Sequence, residues 1–192
     1  RGASPADAGS PSNDLAGAAR MVPLVLCYHQ DLDELLRAAR QQTQMTHNNP
    51  EVIESAEFFA RVLWEVLHGQ SPLVAIDEVA TGLPTTTPLA GWVATGKQLA
   101  AMDSITAIGS LGQSCHASHA FPAVIQLLTR HEDNLAEALI DGIMAGGDSA
   151  ARGILVGAVM AAHHGWDAIP SEWVAGIKSR EHLAALASRL ES

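Results

Sequence analysis

The chain has 192 residues, of which 47% are apolar and 17% charged, a balance that excludes a disordered polymer and a coiled coil. Its formal net charge of −10 excludes the broad basic surface that nonspecific nucleic-acid binding requires. No apolar run has the length of a membrane span, so we expect no membrane partner. Two cysteines do not make a disulfide framework, which favours a cytoplasmic protein, and Cys27 is predicted to be a small buried side chain.

Taken in chain order, residues 1–14 are rich in Gly, Ser, Pro and Ala and predict a loop. Apolar periodicity and cap residues then predict helices at about 14–28, 31–45, 49–69, 71–82, 92–102, 119–130, 133–147, 148–164, 169–177 and 181–190. No segment shows sustained period-two alternation. The prediction is an all-α fold, with residues 1–192 forming one compact multi-helix domain.

Residues 105–118, "ITAIGSLGQSCHAS", are small and polar and predict a loop, with the next helix carrying Pro122 in its first turn. The loop and the start of that helix concentrate Ser114, Cys115, His116 and His119. A thiol and an imidazole within reach of each other form an activated nucleophile, but neighbours along a chain seldom have that geometry. The alternatives are a loop that lines a ligand pocket and a plain polar loop.

A second polar stretch, Gly146-Gly147-Asp148, stands directly before a helix of small residues. As an N-cap, Asp148 would accept the backbone N–H groups of Ala150 and Ala151. The glycines also let the backbone approach a ligand closely, and the unpaired N–H groups of a helix start suit a phosphate. The stretch is therefore either a helix cap alone or a cap that also forms a polar site.

Three stretches together resemble the ADP-ribosylglycohydrolase family: "NDLAGAARMVPLVL", "THNNPEVIESAEFFARVLW" and the block from Gly112 to Trp173. The resemblance covers roughly residues 10–177. The resemblance implies an all-helical, ADP-ribosylglycohydrolase-like domain. It also implies an activity, cleavage of the N- or O-glycosidic bond between ADP-ribose and an acceptor. The family's acidic N-terminal Thr-Asp-Asp motif is not in this chain, so we expect the domain to lack its N-terminal portion, with 1–13 as a loop.

The family's usual site holds two Mg²⁺ ions between acidic residues, some of them from a late Gly-Asp-Thr-Asp-Thr motif. Here that motif is Gly147-Asp148-Ser149-Ala150-Ala151. Asp148 is the metal ligand that the resemblance implies. Ala150 replaces an acid, and Arg152 adds a positive charge, so Mg²⁺ binding is expected to be weakened. The pattern is similar to a divergent branch that includes the J1-type crystallins.

Two functions follow from the resemblance. The first is a hydrolase of ADP-ribosyl or related N-glycosidic linkages, and the second is an inactive ADP-ribose-binding or structural protein on the same fold. In the enzyme, Asp148 and Ser149 would be catalytic, and an ADP-ribose-like molecule or ADP-ribosylated substrate would be the partner. The remaining residues implied to bind this ligand are Arg152, Gly146, Gly147, Asn13, Asp14, Ser114 and His116. The oligomeric state does not follow from the sequence.

Overall fold

The computed structural model describes residue 2 and residues 4–189, which form helices joined by short loops, with no β-strand among them. In chain order the α-helices are α1 Pro5–Ala8, α2 Ala16–Ala19, α3 Val22–Tyr28, α4 Leu32–Gln44, α5 Pro50–Leu67, α6 Pro72–Thr81, α7 Leu89–Leu99, α8 Ser104–Leu111, α9 Ala117–Arg130, α10 Leu135–Met144, α11 Ala150–His164, α12 Ser171–Gly176 and α13 Arg180–Ser188. A 3-10 helix, Trp166–Ala168, follows α11. The all-α prediction is confirmed.

Helix α5 is the central element, because it packs against α2, α4, α6, α9 and α11. Its start follows from local chemistry. The Asn49 side chain accepts the N–H groups of Glu51 and Val52 at 3.0 and 3.3 Å, and Pro50 occupies the first turn, where its missing N–H has no partner to lose. No helix among the described residues is both long and apolar enough to cross a membrane.

An aromatic cluster joins α5 to the two helices that cross it. The ring of Phe121 on α9 lies 5.0 Å from that of Phe58 and 4.8 Å from that of Phe59, centroid to centroid. Trp92 of α7 lies 5.6 Å from the same ring. All three phenylalanines are fully buried, so this cluster fixes the position of α9 and of the loop that precedes it.

The predicted loop over 105–118 is wrong for most of its length. Helix α8 begins at Ser104, because the Asp103 carboxylate accepts the N–H of Thr106 at 2.9 Å. It ends at Leu111, because the next residue, Gly112, has a φ of +112°. Only 112–116 remains as a loop. Helix α9 starts at Ala117, so Pro122 lies in its second turn rather than its first.

Other predictions near the helix ends also need correction. The first predicted helix divides into α2 and α3, with Pro23 in the first turn of α3, and the segment predicted as an N-terminal loop contains α1. The helix predicted at about 133–147 begins later than expected, at Leu135, because Asn134 caps α10 by accepting the N–H of Glu137. Cys27 is exposed, because it lies on the outer face of α3. The predicted end of the last helix, Leu190, lies outside the described residues.

Candidate active site

Three segments that are far apart in the sequence meet beside the start of α11. Backbone hydrogen bonds join the first segment to the 112–116 loop, from the N–H of Leu15 to the carbonyl of Cys115 at 2.9 Å and from the N–H of Ala117 to the carbonyl of Asn13 at 2.8 Å. The N–H of Asp148 donates to the carbonyl of Gln113 at 3.0 Å, which joins the third segment. These bonds hold the three segments in one fixed arrangement.

The side chains of Asp14, Cys115 and Asp148 converge at this junction. One potential ligand atom from each residue lies within 4.8 Å of the other two, and all three residues are half-buried. Asp14 also accepts the N–H of Ala16 at 2.8 Å, which fixes the direction of its carboxylate. We call these three residues the Asp-Cys-Asp triad. The structure thus brings together two carboxylates that sequence reasoning named separately.

The surroundings of Cys115 disfavour its role as a nucleophile. Burial raises the pKa of the Cys115 thiol, and the negative charges of Asp14 and Asp148 raise it further. The thiolate is the reactive form, so a thiol with a raised pKa attacks poorly. The nearby Ser114 hydroxyl lies 2.8 Å from Nδ1 of His119 and accepts the N–H of His116 at 3.3 Å, so it serves the loop and stands outside the triad.

Two glycines shape the loop that carries Asp148. Gly146 and Gly147 have φ values of +70° and +67°, which side chains adopt only with strain. A Cβ atom on Gly147 would lie 2.0 Å from the carbonyl oxygen of Gln113, the atom that accepts the Asp148 N–H. Glycine at 147 is therefore required for the two loops to meet.

Arg152 is 1% exposed, and its guanidinium contacts the buried side of the loop that carries Asp148. One of its Nη atoms donates to the carbonyls of Gly142 and Gly146, at 2.8 and 2.7 Å. Burial lowers the pKa of Arg152, and the negative charge of Asp148 opposes that shift. Its Nε and second Nη are buried without a partner among the described residues. The implied contact of Arg152 with an anionic ligand stays a prediction.

The predicted helix cap is displaced by one residue. Ser149 occupies the N-cap position of α11 without a side-chain hydrogen bond to the helix. Asp148 lies one residue earlier and accepts the N–H of Ala150 at 3.2 Å, whereas a bond from Ala151 was also expected. One carboxylate oxygen of Asp148 thus accepts a hydrogen bond from the start of α11, while the same carboxylate lies beside Asp14 and Cys115 in the triad.

The sequence did not predict that His47 packs near the site, against α2. A Cβ atom on Gly17 would lie 2.5 Å from the His47 ring, so the glycine lets this ring pack against α2. Burial lowers the pKa of His47, the positive charge of Arg20 lowers it further, and the charge of Asp14 opposes both. The sequence contains both partners of this contact, Gly17 in "LAGAA" and His47 in "THNNP", but it gives no indication that they meet.

The donor set of the triad does not fit Mg²⁺, the cation that the resemblance implies. Mg²⁺ takes near-octahedral oxygen ligands, and here one of three donors is a sulfur atom. Ala150 offers only a methyl group where the resemblance implies an acid, and its N–H is already used by Asp148. We therefore derive no chemical step that passes through Mg²⁺.

Three cavities lie among the described residues, and none of them is lined by a residue of the Asp-Cys-Asp triad. A cavity of about 430 Å³ between α10 and α11 is bordered by Ser149 and Ala150, and apolar residues such as Leu139 and Ile143 form the rest of its wall. Cavities of about 520 and 690 Å³ lie against α5 and α6 and within the segment 166–187, and none of the predicted site residues lines either of them.

Comparison with known proteins identifies the class of this fold. A solved structure described as an ADP-ribosylglycohydrolase-related protein complex superimposes with a TM-score of 0.73 at 24% sequence identity, covering 95% of this chain and 61% of the other. Crystallin J1B of Tripedalia cystophora is 30% identical over 167 residues. An uncharacterized protein of Archaeoglobus fulgidus is 29% identical over 180 residues, covering 93% of this chain and 58% of its own.

The sequence pattern of the family described as ADP-ribosylglycohydrolase matches residues 1–192, and the chain belongs to this family. The predicted likeness to J1-type crystallins is also confirmed, since crystallin J1A matches at 27% identity as well. The alignments cover 86% and 90% of this chain but only 51% and 52% of the two crystallins. The chain thus spans about half the length of these curated relatives.

Proposed function

We propose that this chain carries the catalytic centre of a hydrolase that cleaves ADP-ribosyl or related N-glycosidic linkages. The observation that carries this proposal is the convergence of Asp14 and Asp148 within 4.8 Å, from segments that backbone hydrogen bonds hold together. Fixed carboxylates of this kind orient a water molecule and accept its proton. Membership of the family supports the choice of glycosidic bond.

In the proposed reaction, a water molecule attacks the anomeric carbon of the ribose. The glycosidic bond breaks, its electron pair leaves with the acceptor atom, and the acceptor takes a proton from solvent. Asp148 accepts the proton of the attacking water, and Ser149 lies beside it to hold the substrate. Asn13 and His116 belong to the segments that carry Asp14 and Cys115, and we assign them, with the backbone of Gly146 and Gly147, to the border of the substrate position.

Both cysteines are free thiols, which supports a reducing compartment such as the cytoplasm as the site of action. An ADP-ribosylated molecule is the proposed partner. ADP-ribosyl-arginine is a suitable test substrate for the proposed hydrolase, since its linkage is an N-glycoside.

The test is release of ADP-ribose from ADP-ribosyl-arginine, followed by chromatography, in the wild type and in Asp148→Asn. The amide oxygen of asparagine still accepts the Ala150 N–H but takes no proton from water, so we expect kcat to fall by about 100-fold or more. Asp167→Asn, the same change on the exposed 3-10 helix, is the matched control and keeps full activity. Unchanged turnover in Asp148→Asn would refute the assignment of the base.

A second candidate function is favoured by two observations. Ala150 replaces an implied acid, and a crystallin is among the proteins that the chain matches at 30% identity. An inactive ADP-ribose-binding or structural protein would bind ADP-ribose in calorimetry without turnover, or bind nothing at all. Either result, obtained with correctly folded protein, would replace the enzyme proposal with this one.

A further inference from the structure

The Asp-Cys-Asp triad contains a donor atom that the implied magnesium chemistry does not use. Two carboxylates and a thiol offer ligand atoms within 4.8 Å of one another. Mg²⁺ gains little from sulfur, whereas Zn²⁺ and the cations that resemble it bind thiolate, carboxylate and imidazole together. The sulfur of Cys115 therefore changes which cation this position favours.

No ion pair within the described part of the chain balances the two carboxylates of the triad, although the buried Arg152 interacts with Asp148 electrostatically at longer range. Among the residues that the structure describes, no basic side chain lies within ion-pair distance of Asp14 or Asp148. The buried guanidinium of Arg152 donates to the carbonyls of Gly142 and Gly146 instead. Two neighbouring carboxylates without an ion pair repel each other, and a divalent cation between them would remove that repulsion.

The arrangement is also held in place before any cation binds. The carbonyl of Cys115 accepts the N–H of Leu15, and the N–H of Asp148 donates to Gln113, so the backbones on either side of the triad are already joined. A cation would thus meet three ligands on backbones that are already joined, and it could supply Lewis-acid chemistry to a bound water molecule or substrate.

We propose that the Asp-Cys-Asp triad binds a thiophilic divalent cation of the zinc class in preference to Mg²⁺. The inference rests on the proposed function for its location, because it assigns the cation of the same site. On binding, Sγ of Cys115 forms the metal–sulfur bond, and the thiol proton passes to solvent. No change of oxidation state is involved.

The test uses Co²⁺ as a spectroscopic substitute for Zn²⁺ in the full chain after treatment with a chelator. We expect a near-ultraviolet thiolate-to-cobalt charge-transfer band that Zn²⁺ removes stoichiometrically. A roughly hundredfold excess of Mg²⁺ should leave the band in place, because Mg²⁺ does not favour sulfur. Cys115→Ser should abolish the band, and Cys27→Ser, on the exposed face of α3, should keep it. No band in the wild type, or a band lost with Cys27 and kept without Cys115, overturns the proposal.

A second variant covers the case in which Cys115→Ser misfolds, which circular dichroism would show. Cys115→Asp makes an all-oxygen set, so we expect its Zn²⁺ affinity relative to Mg²⁺ to fall by about tenfold or more, measured by calorimetry. An unchanged ratio refutes the role of sulfur.

The cobalt band and the release of ADP-ribose are separate measurements. A band without turnover refutes the proposed hydrolase and supports the cation assignment. Turnover without a band supports the proposed hydrolase and refutes the cation assignment.

Discussion

The close approach of the Asp148 loop to the 112–116 loop depends on Gly147, and Gly147→Ala measures it. Both neighbouring glycines have positive φ, so alanine at either position carries a backbone cost of about 1 kcal/mol. At Gly147 the added Cβ also lies 2.0 Å from the backbone oxygen of Gln113, and that contact needs a loop to move. Overpacking of this kind costs about 1–3 kcal/mol more.

Gly146→Ala is the matched control, because its Cβ meets nothing closer than the Gln113 side-chain nitrogen at 3.7 Å. We expect the free energy of unfolding to fall by about 1 kcal/mol in Gly146→Ala and by about 2–4 kcal/mol in Gly147→Ala. The corresponding Tm decreases are about 2–4 °C and about 4–16 °C for a chain of this size. Urea unfolding followed by circular dichroism gives the first quantity. Equal midpoints for the two variants would refute the contact between the loops.

Three further measurements test other parts of the structure. Gly96→Ala places a Cβ 2.5 Å from a backbone carbonyl of α9 and should destabilise the fold by about 1–3 kcal/mol, whereas Gly91→Ala, with nothing within 4 Å, should be neutral or stabilising in the same urea assay. The pKa of His47 is lowered in the folded state, so stability should decrease as pH falls below the ordinary histidine value, and His47→Gln should flatten this dependence; an unchanged pH profile contradicts it. Iodoacetamide should modify exposed Cys27 well before Cys115, whose pKa is raised, and mass spectrometry of the peptides would detect the opposite order.

The elements that the sequence predicted well are those that local chemistry determines. Asp31 accepts the N–H of Glu34 at 3.0 Å, and Asn49 and Ser71 cap α5 and α6 with prolines directly behind them. Each cap and its partner lie within three residues, so the pattern is visible without a structure. The loop predicted over 105–118 is wrong for 105–111 because small-residue composition alone does not distinguish a loop from a helix, whereas the Asp103 cap is a helix signal.

The candidate site was predictable only in pieces. Local chemistry predicts Asp148 as a helix cap or part of a polar site, and the resemblance implies Asp14 as a ligand-binding residue, but nothing local indicates that the two carboxylates meet. Sequence neighbours such as Ser114 and His116 suggest a catalytic role for Cys115, but its neighbours in space are the two carboxylates, which are distant in the sequence. The burial of Arg152 was also beyond local reasoning, because the carbonyls that it satisfies belong to the end of another helix.

The hydrogen bonds that join Leu15 to Cys115 and Asp148 to Gln113 have a consequence for how the site is made. The first closes a chain segment of roughly a hundred residues, which is entropically unfavourable until the intervening helices have packed. The pairing of the two acids is therefore expected to be among the last events of folding. A peptide that ends before α5 would carry only Asp14, and a peptide that begins after α5 would carry Cys115 and Asp148, so neither peptide alone would contain both acids and the thiol of the junction.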